Sequence, residues 1–143
     1  MSERENTSTV EAIFASLNAH KPDASPQSYG EGYAYEAPGL PAPLNYQQSV
    51  GYFMGFIAAF PDLHIELQHK IAQGDFVAVD WVFSGTNSGP MAMPSGAQVP
   101  PTGKKVSFFG STTYRFKDGK AIHTWVCMDV MGMMMQLGMM PAM

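Results

Sequence analysis

Charge is scarce in this 143-residue chain: Asp, Glu, Lys and Arg make up 14% of it against 45% hydrophobic residues, and the formal net charge is −4. A sparsely charged, mildly acidic chain offers no basic stripe for nucleic acid, and its apolar content is too high for disorder. The lone Cys127 excludes an internal disulfide. Long hydrophobic runs are also missing. The longest, residues 50–60, is about half the length needed to cross a bilayer and reads as a buried helix. The polar opening MSERENTSTV lacks the apolar core of a signal peptide, so a cytoplasmic protein with no membrane segment is expected. One domain over residues 1–143 is the natural reading, since a chain of this size hides roughly two-thirds of its unfolded surface.

What the chain does carry is pattern. Ser8 and Glu11 have capping-box spacing, and Val10, Ile13, Phe14 and Leu17 form a helical stripe that runs to about Ala19. Residues 21–48 hold five prolines and three glycines, which predicts a short helix and extended loop. A second helix is predicted from Asn45 to Pro61, with Val50, Phe53, Met54 and Ile57 on one face. From Leu63 the period becomes two, with Ile65, Leu67, His69 and Ile71 on the apolar face of a strand. A turn at Gln73–Asp75 leads into a strand with Val77, Val79, Trp81 and Phe83 inward, and residues 86–103 read as a long loop. The next strand sets Val106, Phe108, Gly110, Thr112, Tyr114 and Phe116 on one side. Asp118-Gly119 signals a hairpin into a last strand with Ile122, Thr124, Val126 and Met128 inward. Eight of the twelve methionines lie between Met128 and Met143, where they stand in for the leucines of a closing helix; a soft-metal site of thioethers is the competing reading.

Four segments in order, FPDLHIEL at 60–67, GDFVAVDWVFSGTNSG at 74–89, PPTGKKVSF at 100–108 and the hairpin at 105–129 followed by VMGMMMQLG, resemble the SnoaL-like polyketide cyclases. The resemblance implies an α+β fold, a curved and mostly antiparallel sheet forming a cone-shaped half-barrel around helices. It also implies chemistry without metal or cofactor and a homodimer formed through the outer sheet face. In that family an Asp on the last strand acts as base and a His fourteen residues earlier assists it. The matching positions here are Val126 and Thr112, and neither can take a proton from carbon at neutral pH. The resemblance further places Leu17 and Tyr52 at pocket positions, puts Tyr35 and Glu36 near a polar pair, and sets Asp80 where Arg is common.

Alternation independently sets Thr112 and Val126 on inward faces, with Tyr114, Thr124 and Met128 beside them as ligand contacts. On the apolar face Ile65-Leu67-His69-Ile71, His69 is the one ionisable side chain, so His69, helped by Thr112, is the candidate for acid–base work; a histidine satisfied near a strand end is the competing reading. Asp80 reads as a surface ion-pair partner and Asp129 as the cap of the last helix. His123, Trp125 and Cys127 share the outer face, too few for zinc but fitted, with Phe109, to an interface. Three functions stay open. The first is a cofactor-free cyclase, isomerase or lyase acting on a hydrophobic oxygenated molecule of polyketide or terpenoid type; the others are a binding protein for such a molecule and a dimeric interaction module.

Overall fold

The computed structural model describes residues 2–92 and 96–139. In chain order these form α1 (Glu3–Asn18), a 3-10 turn (Pro26–Ser28), β1 (Tyr29–Glu36), α2 (Tyr46–Ala59), β2 (His64–Gln73), β3 (Phe76–Thr86), β4 (Met91–Ala92), β5 (Gln98–Val99), β6 (Lys105–Lys117), β7 (Lys120–Met128) and α3 (Val130–Gln136). Five strands make one mixed sheet in the order β1-β7-β6-β3-β2, and β4 and β5 pair separately. Only the β1–β7 pair is parallel in the main sheet. This is the α+β architecture that the sequence predicts, with α1 lying across β2 and β3.

The alternation on β3 and β6 holds along its length. Val77, Val79, Trp81, Phe83, Val106, Phe108, Tyr114 and Phe116 are all buried in the core, which α1 completes with Val10, Ile13 and Phe14. The Asp118-Gly119 turn also forms as expected, with both residues at positive φ (52° and 78°). Asp129 caps α3 by accepting the Gly132 backbone N–H at 2.8 Å.

Four expectations need correction. Helix α1 begins earlier, because Ser2 and Glu5 form the capping box: Ser2 Oγ accepts from Glu5 N at 3.1 Å. Ser8 and Glu11 have the same spacing inside the helix. Residues 21–48 contain strand β1, whose glycines had suggested a loop. Gly30 passes so close to β7 that an added Cβ would meet Ile122 at 2.9 Å, and Gly32 takes φ +75° where the register slips. The 86–103 loop includes the β4–β5 hairpin. Helix α2 is not a buried helix: Met54 is 47% exposed and Ala59 is its only buried residue.

The most consequential correction concerns β2. Its pairing with β3 slips by one residue between Leu67 and His69, leaving Gln68 as a bulge. Alternation therefore reverses at this point. Lys70 and Ala72 take the inner side, opposite Val79 and Val77, while His69 and Ile71 turn outward, opposite Asp80 and Ala78. Ile71 is 67% exposed, and Lys70 reaches Glu11 of α1 at 2.6 Å.

The end of α2, the loop after β3 and the segment before β6 meet at the fully buried Asn87. Its Nδ2 donates to the carbonyls of Ala59 (3.1 Å) and Gly89 (3.0 Å), and its Oδ1 accepts from the backbone N–H and the hydroxyl of Thr102, each at 2.9 Å. No periodic pattern points to this residue.

Candidate ligand cavity

The concave side of the sheet does not pack flat against the helices. Between them lies an open-mouthed cavity. Helix α1 contributes Ile13, Phe14 and Leu17, and α2 contributes Ser49, Val50, Phe53 and Phe56. The sheet supplies Tyr29, Tyr33 and Tyr35 from β1, Trp81 and Phe83 from β3, Phe108, Thr112 and Tyr114 from β6, and Thr124, Val126 and Met128 from β7. Phe83 and Phe108 stack at 4.7 Å, and Phe56 meets Phe83 edge-on at 6.0 Å, so one wall is a continuous aromatic surface.

Thr112 and Val126 are direct cross-strand partners, and both line the cavity, as their alternation predicts. Leu17, Tyr35, Tyr114, Thr124 and Met128 line it too. Two predicted residues do not. Tyr52 stands behind the wall, with its ring 5.8 Å from that of Tyr35 and 5.4 Å from that of Phe56, so it supports a lining residue from outside. The bulge at Gln68 carries His69 to the convex side, where its side chain is 76% exposed and its Nδ1 lies 2.9 and 3.0 Å from the oxygens of Asp80. That hydrogen bond is the main cause holding the Asp80 carboxyl below its ordinary range, so Asp80 is the surface ion-pair partner that the sequence suggested. His69 has no access to a ligand in the cavity.

Thr112 is the remaining candidate for chemistry. Its Oγ1 accepts from Trp81 Nε1 at 2.9 Å, and among the described residues no carboxylate or imidazole lines the cavity beside it. The polar groups that do line the cavity are hydroxyls. Tyr33 Oη and Thr124 Oγ1 lie 2.5 Å apart. Burial pushes the Tyr33, Tyr35 and Tyr114 phenols above their ordinary values, reinforced at Tyr35 and Tyr114 by the neighbouring phenols and opposed at Tyr33 by the Thr124 hydrogen bond. They are neutral groups at physiological pH. Tyr29 and Tyr33 were not among the predicted contacts. Positions 29, 33 and 35 share the parity of one strand face, a signal that the interleaved glycines masked.

Trp81 depends on Gly110, its cross-strand partner, where an added Cβ would stand 2.2 Å from the indole ring. Gly110→Ala is expected to cost about 2 kcal/mol through overpacking and to break the Trp81–Thr112 hydrogen bond. Urea denaturation and tryptophan emission check this, and an unchanged midpoint with unchanged emission would contradict it.

On the convex side His123 stacks on Trp125 at 3.9 Å and its Nε2 lies 2.6 Å from Glu36 Oε2, so Glu36 belongs to this face and not to the cavity. Phe76, at 45% exposure, and Phe109, at 72%, lie on the same side. Among the described residues no group of three or more His, Cys, Asp or Glu side chains is arranged to hold a metal ion, and no helix is long and apolar enough to cross a membrane.

The family model for SnoaL-like polyketide cyclase matches residues 7–137. Among solved structures, AclR of Streptomyces galilaeus, a candidate hydroxylase, is 24% identical with a TM-score of 0.82, and the match covers 98% of this chain and 100% of that one. A candidate SnoaL-like polyketide cyclase of Jannaschia sp. CCS1 is 22% identical with a TM-score of 0.83, covering 96% and 94%. IdmH of Streptomyces antibioticus, a candidate polyketide cyclase, is 24% identical with a TM-score of 0.78, covering 93% and 98%. At these identities the likeness concerns the fold. No curated protein sequence matches.

Proposed function

Because this chain belongs to the SnoaL-like polyketide cyclase family, we propose that its cavity binds a hydrophobic, oxygenated small molecule of polyketide or terpenoid type and holds it without a side-chain base. One observation carries this reading: among the described residues the lining is aromatic, aliphatic and hydroxylic, with no carboxylate, imidazole, amine or guanidinium. Removing a proton from carbon needs a base with a pKa near neutrality, and Val126 and Thr112 supply none. Apolar walls with a few placed polar groups are instead the usual make-up of a binding pocket.

A cofactor-free cyclase or isomerase is the second reading, favoured by the neutral phenols in the wall. A phenol O–H aimed at a carbonyl oxygen stabilises the negative charge that develops there during enolisation. The base in that case comes from the ligand or from water.

The convex face, with Ile71, Phe76, Phe109 and Trp125 on one side of the sheet, supports a second copy of the chain as partner, since aromatics are enriched at such contacts. Sedimentation of the wild type against Phe109→Ser tests this; an unchanged sedimentation coefficient would remove the support.

Titration with 2-acetonaphthone, followed by quenching of tryptophan emission, tests the cavity. Val126→Phe, which fills it, is expected to abolish binding, and His69→Ala is expected to leave binding unchanged. Equal binding by wild type and Val126→Phe would overturn the proposal.

A further inference from the structure

Two hydroxyls in the cavity wall are left without a partner among the protein's described residues. Thr124 on β7 is the cross-strand partner of both Tyr35 on β1 and Tyr114 on β6, so the three side chains stand in one row across the concave face. All three line the cavity, and Tyr114 is only 4% exposed. Thr124 is engaged by Tyr33 at 2.5 Å, and Thr112, in the next row, is engaged by Trp81 at 2.9 Å. The phenol hydroxyls of Tyr35 and Tyr114 have no hydrogen-bond partner among the described residues. Neither hydroxyl is sealed away from the cavity, so each stays open to a partner that enters it. In the wall of an open cavity, that partner is water or a ligand atom that displaces it.

We propose that Tyr35 and Tyr114 form a two-donor site for the carbonyl oxygen of an aromatic ketone. The inference rests on the cavity-binding reading and adds the chemical class of the ligand. A carbonyl oxygen has two lone pairs and accepts from two O–H groups at once. A carboxylate does not fit, since no cation among the described residues lines the cavity to offset its burial. Burial keeps both phenols protonated, so they act as donors across the physiological range. The remainder of the ligand faces Phe53, Phe56, Phe83, Phe108 and Trp81, which suit a flat conjugated ring.

A matched pair of probes separates the polar from the apolar contribution: 2-acetonaphthone and 2-ethylnaphthalene share a shape and differ in the carbonyl. Wild type is expected to bind the ketone about tenfold more tightly or better, the discrimination of a site built to hydrogen-bond its ligand. The double variant Tyr35→Phe/Tyr114→Phe is expected to bind the two equally, weakening the ketone alone. The C=O stretch of bound ketone is expected to shift to lower wavenumber in wild type and not in the double variant. Each single variant, expected to lose part of the preference, serves if the double variant melts early. Equal binding of both probes by wild type, with both lost in Val126→Phe, would overturn the donor pair while leaving the cavity reading intact. Failure of wild type to bind either probe would overturn both.

Discussion

Raising the pH through about 11 to 13 is expected to unfold the protein in one cooperative step that also exposes its tyrosines to ionisation. The cause is the burial of Tyr33 and Tyr114, which are 7% and 4% exposed and whose phenols are pushed above the ordinary value of 10.0. In the unfolded chain both ionise near pH 10; in the folded protein both stay neutral. A raised folded-state pKa contributes stability that is fully present below pH 10 and is lost as the pH climbs toward the folded value. Each phenol removes about 1.4 kcal/mol per pH unit above 10, so the two together remove about 3 kcal/mol per unit. A domain stable by about 5–15 kcal/mol is exhausted within a few units. Phenolate absorbance near 295 nm and far-ultraviolet circular dichroism, followed together, check the expectation. Full ionisation of all six tyrosines near pH 10 with native dichroism would contradict it.

Asn87→Ala is expected to destabilise the protein by about 3–5 kcal/mol, the range for breaking a buried hydrogen-bond network. The side chain is 1% exposed and joins Ala59, Gly89 and Thr102 through four hydrogen bonds. Truncation leaves the carbonyls of Ala59 and Gly89 and the amide of Thr102 without these partners. Asn87→Asp is expected to do little better, since it keeps an acceptor for Thr102 but removes both donors and buries a charge. Urea denaturation at neutral pH measures both variants. A loss below about 1 kcal/mol would mean that water takes over these groups at low cost.

The large elements were legible because their periods were unbroken. Helix α2 starts at Asn45 and stops before Pro61 as composition predicts, with Gln48 completing its cap. Strands β3 and β6 keep alternation through Thr112, and β7 keeps it from His123 through Val126, which is why that half of the cavity wall was found from sequence; at Ile122, expected inward, the pairing skips a residue and Ala121 takes the core side. The rest failed where a local device overrides a period. Gly30 and Gly32 looked like loop formers, yet one permits the close approach of β1 to β7 and the other absorbs a register slip at positive φ. With β1 unrecognised, Tyr29 and Tyr33 stayed out of the predicted site. Asn87 carried no signal at all, because its role depends on bringing together three segments distant in sequence. The error at His69 arose from counting by twos across a residue that the pairing skips.

That skipped residue also measures how near this wall lies to different chemistry. Were Gln68 to pair with Asp80 in place of its neighbour, the register of residues 64–67 would run on without a break. His69 would then stand opposite Val79, one strand away from Thr112, while Lys70 would swing into water. A one-residue slip of the register, without any change of sequence, would thus bring an imidazole to the side of the sheet that lacks one among the described residues, a shorter path to a proton acceptor than rebuilding position 126.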